Sequence, residues 1–209
     1  MKDGCIIFDF DGTIADTTSG IFNSIRYASE RMGLRVLNNE ELKSHIGPPM
    51  HKAYNKNFGL SGAELEKAIN YHKEYSLSIG YKEFEFYNGI IKVLGELRGR
   101  GYNMGIATSK PDIVVKKICQ ENDLYRFFDT VHGAKGQETK TDIARRCLEH
   151  LPNNEDVSLV GDSSYDRDAA IAIGAIFIGV TYGLGFSIED KNTLNNPADS
   201  PREILNHFD

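Results

Sequence analysis

Cys5-Ile6-Ile7-Phe8 is an unbroken apolar run about one strand long, and it leads straight into Asp9-Phe10-Asp11-Gly12-Thr13. Continuous apolarity, rather than alternation, suits a strand covered on both faces, as inside a parallel sheet. Parallel strands need crossover connections, which are usually helices, so this one run narrows the fold sharply. Two carboxylates two residues apart then follow at the strand's C-terminal end, where open α/β sheets gather their reactive groups. Placing two anions there is costly unless a cation or a proton sits between them. Asp11-Gly12 alone reads as a turn. Asp9, directly behind four apolar residues, has no such role, and a site is expected here.

The chain beyond residue 89 supports the same architecture. Strand-like runs are expected at 102–107, 130–133, 157–160 and 176–180, with helical stretches between them at 90–97, 111–118, 141–150 and 167–173. That alternation predicts right-handed β-α-β units, hence a Rossmann-like parallel sheet with helices on both faces. Residues 16–80 read differently. Ile21, Ile25, Ala28 and Met32 recur at helical spacing before Gly33, and a short helix from Asn39 is stopped by Gly47-Pro48-Pro49. A helix at 51–58 ends at Gly59, and Ser61-Gly62-Ala63-Glu64 reads as a capping box opening another. So long a helical stretch exceeds what a crossover needs. It is expected to be an inserted helical cap, residues 15–86, on a core of residues 1–14 and 87–209.

Composition removes several classes of function. A net charge of −6 provides no basic surface for nucleic acid. No apolar run is long enough to cross a bilayer, and no signal peptide is expected before the first strand. Cys5, Cys119 and Cys147 are odd in number and lack any Cys-x-x-Cys spacing, so buried free thiols in a cytoplasmic protein are expected. The charge is uneven: residues 15–86 are neutral, and the remainder carries the whole excess.

Three further places carry chemistry. Thr108-Ser109-Lys110-Pro111 puts hydroxyls and amides between a strand end and a helix start, which favours an oxyanion. Gly161-Asp162-Ser163-Ser164-Tyr165-Asp166 is a second acidic pair at a strand terminus; Asp166 could cap the following helix, but Asp162 could not. Lys140 opens a helix, where the dipole disfavours a cation, so an anion is expected in front of it.

Acid pair, hydroxyl, lysine and acid pair, in that order on successive strands, resemble the haloacid dehalogenase superfamily in its branch with a helical cap after the first strand. Asp9 to Thr13, Thr108, Lys140 and Gly161 to Asp166 match its four motifs. Ile46-Gly47-Pro48-Pro49, Ala107 to Pro111 and Gly179 to Gly185 are similar to phosphoglycolate phosphatases and a related group of small 5′-nucleotidases. Many relatives have Lys-Pro-x-Pro at the third motif where this chain has Lys140-Thr141-Asp142, which leaves Lys110 and Lys135 as rivals for that lysine.

The resemblance implies a Mg²⁺-dependent phosphate monoester hydrolase. Asp9 would be the nucleophile and Asp11 the acid and base. Asp9, the Asp11 carbonyl, Asp162 and Asp166 would serve the metal. Gly12, Thr108, Ser109, Lys110 and Lys140 would serve the phosphoryl group. Asp11 argues against a dehalogenase, which needs no proton donor, whereas a phosphomutase would share it. A small phosphate ester is the expected partner, phosphoglycolate ahead of a nucleotide, and the chain is expected to be a monomer or homodimer. For a second anion on the substrate, Lys43, His45, His51 and Lys52 around the Gly47-Pro48-Pro49 turn are the available set. Without such a role, His45 and His51 are expected at the surface or in cap packing, and Tyr71, Tyr75, Phe84 and Phe86 in the cap core.

Overall fold

A computed structural model describes residues 4–152 and 155–208. Its main sheet contains β1 (Gly4–Phe8), β4 (Asn103–Pro111), β5 (Thr130–Ala134), β6 (Asp156–Gly161), β7 (Ile176–Val180) and β8 (Pro197–Ala198). The six strands are parallel in the order β5-β4-β1-β6-β7-β8. β1 is therefore interior, and the pleat divides its apolar run between two cores. Ile6 and Phe8 join a cluster with α5 (Ile90–Gly99) and α6 (Asp112–Glu121). Cys5 and Ile7 join the opposite cluster with α7 (Lys140–Glu149) and α8 (Ser164–Ile173). Ile6, Ile7 and Phe8 are fully buried, so continuous apolarity here does reflect two covered faces. Truncating one of them, Ile7→Ala for instance, costs about 2–5 kcal/mol on the usual scale for such sites.

The inserted region carries α1 (Thr18–Met32), α2 (Asn39–Lys43), α3 (Met50–Phe58) and α4 (Gly62–Ser78). It joins the core through a short antiparallel ladder, β2 (Ala15–Asp16) with β3 (Glu85–Phe86). Two small apolar clusters hold it together, one around Tyr54, Ala28, Leu60 and Ala68, the other around Ile25, Leu37 and Leu42. Gly33 ends α1 in the left-handed conformation, as its position suggests.

Several local readings need correction. Ser61 precedes α4 but its side chain caps nothing. Phe84 and Phe86 pack against the core cluster beside Phe10 rather than inside the cap. β4 extends past 107, pairing Pro111 with Ala134 after an irregularity, so Thr108-Ser109-Lys110 lie within the strand's last turn toward α6. Near the C-terminus, Ser187 and Ser200 stand at the N-caps of 3₁₀ helices, Ile188–Thr193 and Pro201–His207, as helix starts do. All three cysteines are buried free thiols. Among the described residues, no helix is long and apolar enough to cross a membrane.

Candidate active site

Sheet register brings the chemistry together. Phe8 pairs with Ile106 on one side and Val160 on the other. One step further along each strand, Asp9 draws level with Ala107 and Gly161, and the Asp9 amide donates to the Val160 carbonyl at 2.9 Å. Thr108 and Asp162 follow immediately. Asp9, Thr108, Asp162, Asp166 and Lys140 are all buried. A cleft open to solvent adjoins them, with Asp9, Asp11, Thr108, Ser109, Lys110, Lys140 and Ser163 on its core side.

Lys140 enters from the first turn of α7, whose start is fixed by a capping box between Thr139 and Asp142. Its Nζ lies 2.5 Å from Asp9 Oδ1 and 2.7 Å from Asp166 Oδ1. Burial alone would lower the lysine's pKa, but Asp166 and Asp9 outweigh it and hold the ammonium form. Lys110 takes a different partner, Asp11 Oδ1 at 2.9 Å. Lys135 is exposed and does not line the cleft.

Asp11 also accepts the Thr17 hydroxyl at 2.6 Å. Thr17 stands at the N-cap of α1, and its side chain makes no capping bond. Thr108 Oγ1 accepts the Lys110 amide at 3.3 Å, and the Ser109 hydroxyl is buried without a partner, which suits an incoming acceptor.

Asp162 is oriented by a loop that sequence reasoning noticed only as a family likeness. The amides of Leu184 and Gly185 donate to Asp162 Oδ2 at 2.8 and 2.9 Å. Gly183 permits this approach: a Cβ there would lie 2.3 Å from the Gly12 carbonyl and 2.5 Å from Asp162 Cβ. Gly12 has a φ of +79°, and a Cβ on it would fall 2.0 Å from Asp162 Oδ2. Gly12 thus packs against Asp162 and is not among the residues lining the cleft. Asp166 Oδ2 caps α8 through the Ser163 amide at 3.1 Å and hydroxyl at 2.5 Å, while its other oxygen faces Lys140.

The donor set fits a divalent cation. Carboxylate oxygens of Asp9, Asp162 and Asp166 all lie within 4.8 Å of one another. Lys140 is the cation beside Asp9 and Asp166, so three buried carboxylates face one ammonium. Asp9 Oδ1 and Asp166 Oδ1 are buried without an aligned hydrogen bond. Burial pushes the Asp162 carboxyl up to about 7, with Asp166 adding to the shift and the two loop amides opposing it. Burial likewise pushes Asp9 well up; Lys140 opposes this, while Asp166, Asp162 and Asp11 reinforce it. Such a cluster needs positive charge, and an all-oxygen donor set suits Mg²⁺. Asp11 stands outside the cluster, held by Thr17 and Lys110.

The sequence pattern described as haloacid dehalogenase-like hydrolase spans residues 6–180 of this chain. The chain belongs to that family. A 5′-nucleotidase of Pseudomonas aeruginosa is 31% identical over 92% of this chain and 88% of that protein. The tyrosine-protein kinase PtkA of Mycobacterium tuberculosis is 32% identical, covering 90% of this chain and 66% of that protein. Among solved structures, a predicted phosphatase from Clostridium acetobutylicum superposes with a TM-score of 0.89 at 30% identity, over 98% and 97% of the two chains. Family membership and the buried aspartate cluster make this a haloacid dehalogenase-type phosphatase.

On the cap side the cleft is lined by Ile21, His45, Gly47, Pro48, Met50 and His72. Of the four cations or histidines around the Gly47-Pro48-Pro49 turn, His45 alone lines this cleft; Lys43 and Lys52 are exposed. His72 carried no signal in the sequence beyond its place on a helix face. It is buried, as is His45, and neither is a surface residue.

Proposed function

We propose that the protein hydrolyses the phosphate monoester of a small, non-aromatic metabolite, of which phosphoglycolate is the type, through an aspartyl-phosphate on Asp9. The observation that carries the phosphoryl chemistry is Asp9 beside Lys140 in the three-aspartate cluster, with Asp11 nearby but outside it. For the small leaving group, support comes from the cleft lining, which among the described residues contains no Phe or Tyr side chain to stack on a base.

Asp9, Asp162 and Asp166, with the Asp11 carbonyl, would hold Mg²⁺, which masks the repulsion between a dianionic ester and an approaching carboxylate. An Asp9 carboxylate oxygen attacks phosphorus and the bond to the ester oxygen breaks. Asp11 gives its proton to that departing oxygen. Asp11, now a carboxylate, takes a proton from water as the water oxygen attacks phosphorus. The Asp9–phosphorus bond breaks, releasing inorganic phosphate and restoring Asp9. Thr108, Ser109 and Lys140 hold the phosphoryl oxygens and offset charge in the transition state. Lys110 and Thr17 position Asp11.

Phosphate release from an aryl phosphate, with and without Mg²⁺, tests the phosphatase reading. Asp9→Asn should lose more than about 10⁴-fold in kcat, the scale for removing a nucleophile. Beryllium fluoride should bind with Mg²⁺ to the native protein and not to Asp9→Ala; undiminished binding would remove Asp9 from the nucleophile's role. A nucleoside monophosphate is the second reading, favoured by the 31% identical 5′-nucleotidase. A panel of phosphorylated metabolites separates the two: a tenfold preference in kcat/KM for nucleoside monophosphates would replace phosphoglycolate with a nucleotide.

A further inference from the structure

His45 and His72 face the cleft from the cap and share a neighbour, Tyr54. The Tyr54 hydroxyl and His72 Nδ1 are 3.1 Å apart, and both imidazoles stand edge-on to the Tyr54 ring, with centroids at 5.2 Å for His45 and 5.9 Å for His72. His45 is 8% exposed and His72 7%, yet His45 Nε2 is buried without any hydrogen-bond partner. A buried polar atom left unpaired next to a cleft calls for an explanation. Packing alone does not supply one, because an aliphatic side chain would fill the same space without stranding a nitrogen.

The surroundings indicate what the pair would receive. The carboxylates lining the cleft, Asp9 and Asp11, lie on its core side, against Lys140 and Lys110 respectively. The cap side of that lining holds apolar groups and the two imidazoles and, among the described residues, no acid. Burial first, then Lys56, holds His45 down to about 4. His72 is held down to about 3 by burial, then by Lys110, His45 and Lys73. The two rings therefore sit neutral where nearby charges are positive, and His45 Nε2 has hydrogen-bond capacity unspent. An acceptor-rich, negatively charged group matches that environment, whereas another cation would not.

We propose that His45 and His72 are specificity-determining residues that bind the leaving-group end of the substrate, and that this end is a short chain terminating in a carboxylate or a second phosphate. The assignment rests on the phosphatase reading given above. Tyr54 acts as a positioning residue, holding His72 through Nδ1 so that the other ring nitrogen is available.

The test compares kcat/KM, with Mg²⁺, for 2-phosphoglycolate, ethylene glycol bisphosphate and ethyl phosphate, which end in a carboxylate, a phosphate and a methyl group. Native protein should prefer at least one anion-terminated ester over ethyl phosphate by tenfold or more, and which one it prefers identifies the terminal group. His45→Leu should lose at least fivefold more on that ester than on ethyl phosphate, chiefly through KM. His45→Gln, which restores a hydrogen-bonding group near Nε2, should recover part of the loss, and Tyr54→Phe should show a smaller differential in the same direction. Thermal melts accompany each variant; if His45→Leu does not fold, His45→Gln and Tyr54→Phe decide by the same differential. Equal losses on all three esters, or a native protein indifferent to the terminal anion, would overturn the proposal. Para-nitrophenyl phosphate serves as the control for the underlying reading. Turnover of that ester without terminal-anion preference rejects the histidine pair alone, while no turnover of any ester rejects the phosphatase reading.

Discussion

Core and cap bury polar groups on opposite terms. In the core, carboxylates are sunk beside cations and amides: Asp9 and Asp166 against Lys140, Asp11 against Lys110 and Thr17, Asp162 under the Leu184 and Gly185 amides. In the cap, two neutral imidazoles are sunk against the Tyr54 ring, with its hydroxyl at His72 Nδ1 and His45 Nε2 unmet. Buried charges need compensation, here from two lysines, the loop amides and the cation the aspartate cluster calls for, so the core is organised around a fixed electrostatic pattern. Neutral rings tolerate incomplete pairing at lower cost, so the cap can keep capacity for a ligand. The division teaches that charge is buried where partners are fixed at the C-terminal ends of central strands, and neutral polar groups where the insert leaves pairing incomplete.

The largest effect that could break this division is at Asp11. Asp11→Asn keeps size and backbone carbonyl but removes the transferable proton. Single-turnover rates on an alkyl phosphate should fall about 10²–10⁴-fold, the range for acid–base assistance, and those on an aryl phosphate with an acidic leaving group should fall less. An equal fall on both would make Asp11 an organiser of the site and seat the acid elsewhere.

A smaller effect should follow from the loop that aims Asp162. Gly183→Ala drives a methyl group against Asp162 and the Gly12 carbonyl. Apparent Mg²⁺ affinity, read by activity titration and by the metal-induced rise in melting temperature, should weaken about 10–100-fold, as when groups that orient ligands are disturbed. Unchanged affinity would show that Asp162 does not need the loop.

The smallest effect is an acid-side loosening that distinguishes the two regions. His45 and His72 in the cap, and His132 in the core, have folded pKa values of about 4, 3 and 4, below the ordinary 6.5. For His132 burial is the main cause, and Arg146, whose Nη1 lies 2.8 Å from its Nδ1, adds to it. A depressed histidine pKa means the stability it supports is complete above pH 6.5 and drains away as pH falls toward 4 and 3. With two such groups in small clusters, cap amides should lose hydrogen-exchange protection at a higher pH than those of β1 and β4. Simultaneous loss in both regions would mean that the cap is not the weaker partner.

The sheet and the core half of the site were legible because they rest on local rules. An unbroken apolar run reports a strand covered on both faces, and Cys5 to Phe8 is one. Polar residues just past such runs mark strand ends, and Asp9, Thr108 and Asp162 stand at such places. Lys140 was legible as a cation at the wrong end of a helix. Its rivalry with Lys110 was not resolvable in one dimension, since both lie near strand ends and only three-dimensional placement gives them different aspartates. The capping role of Asp166 could be read from Ser163 three residues before it; its contact with Lys140 could not.

Sequence by itself thus determined the α/β core, the helical insert and the polar groups that stand at the strand ends, because each depends on periodicity, composition or spacing within a few residues. Tertiary structure decided the rest. Parallel register set Asp9 level with Gly161 and Ala107, a close approach of glycines let the 183–185 loop reach Asp162, and helix packing turned His45 and His72 toward the cleft rather than toward solvent. These are contacts between residues tens to well over a hundred positions apart. No local propensity encodes them, because the free energy that selects them comes from closing two faces of a sheet and docking an insert against its edge.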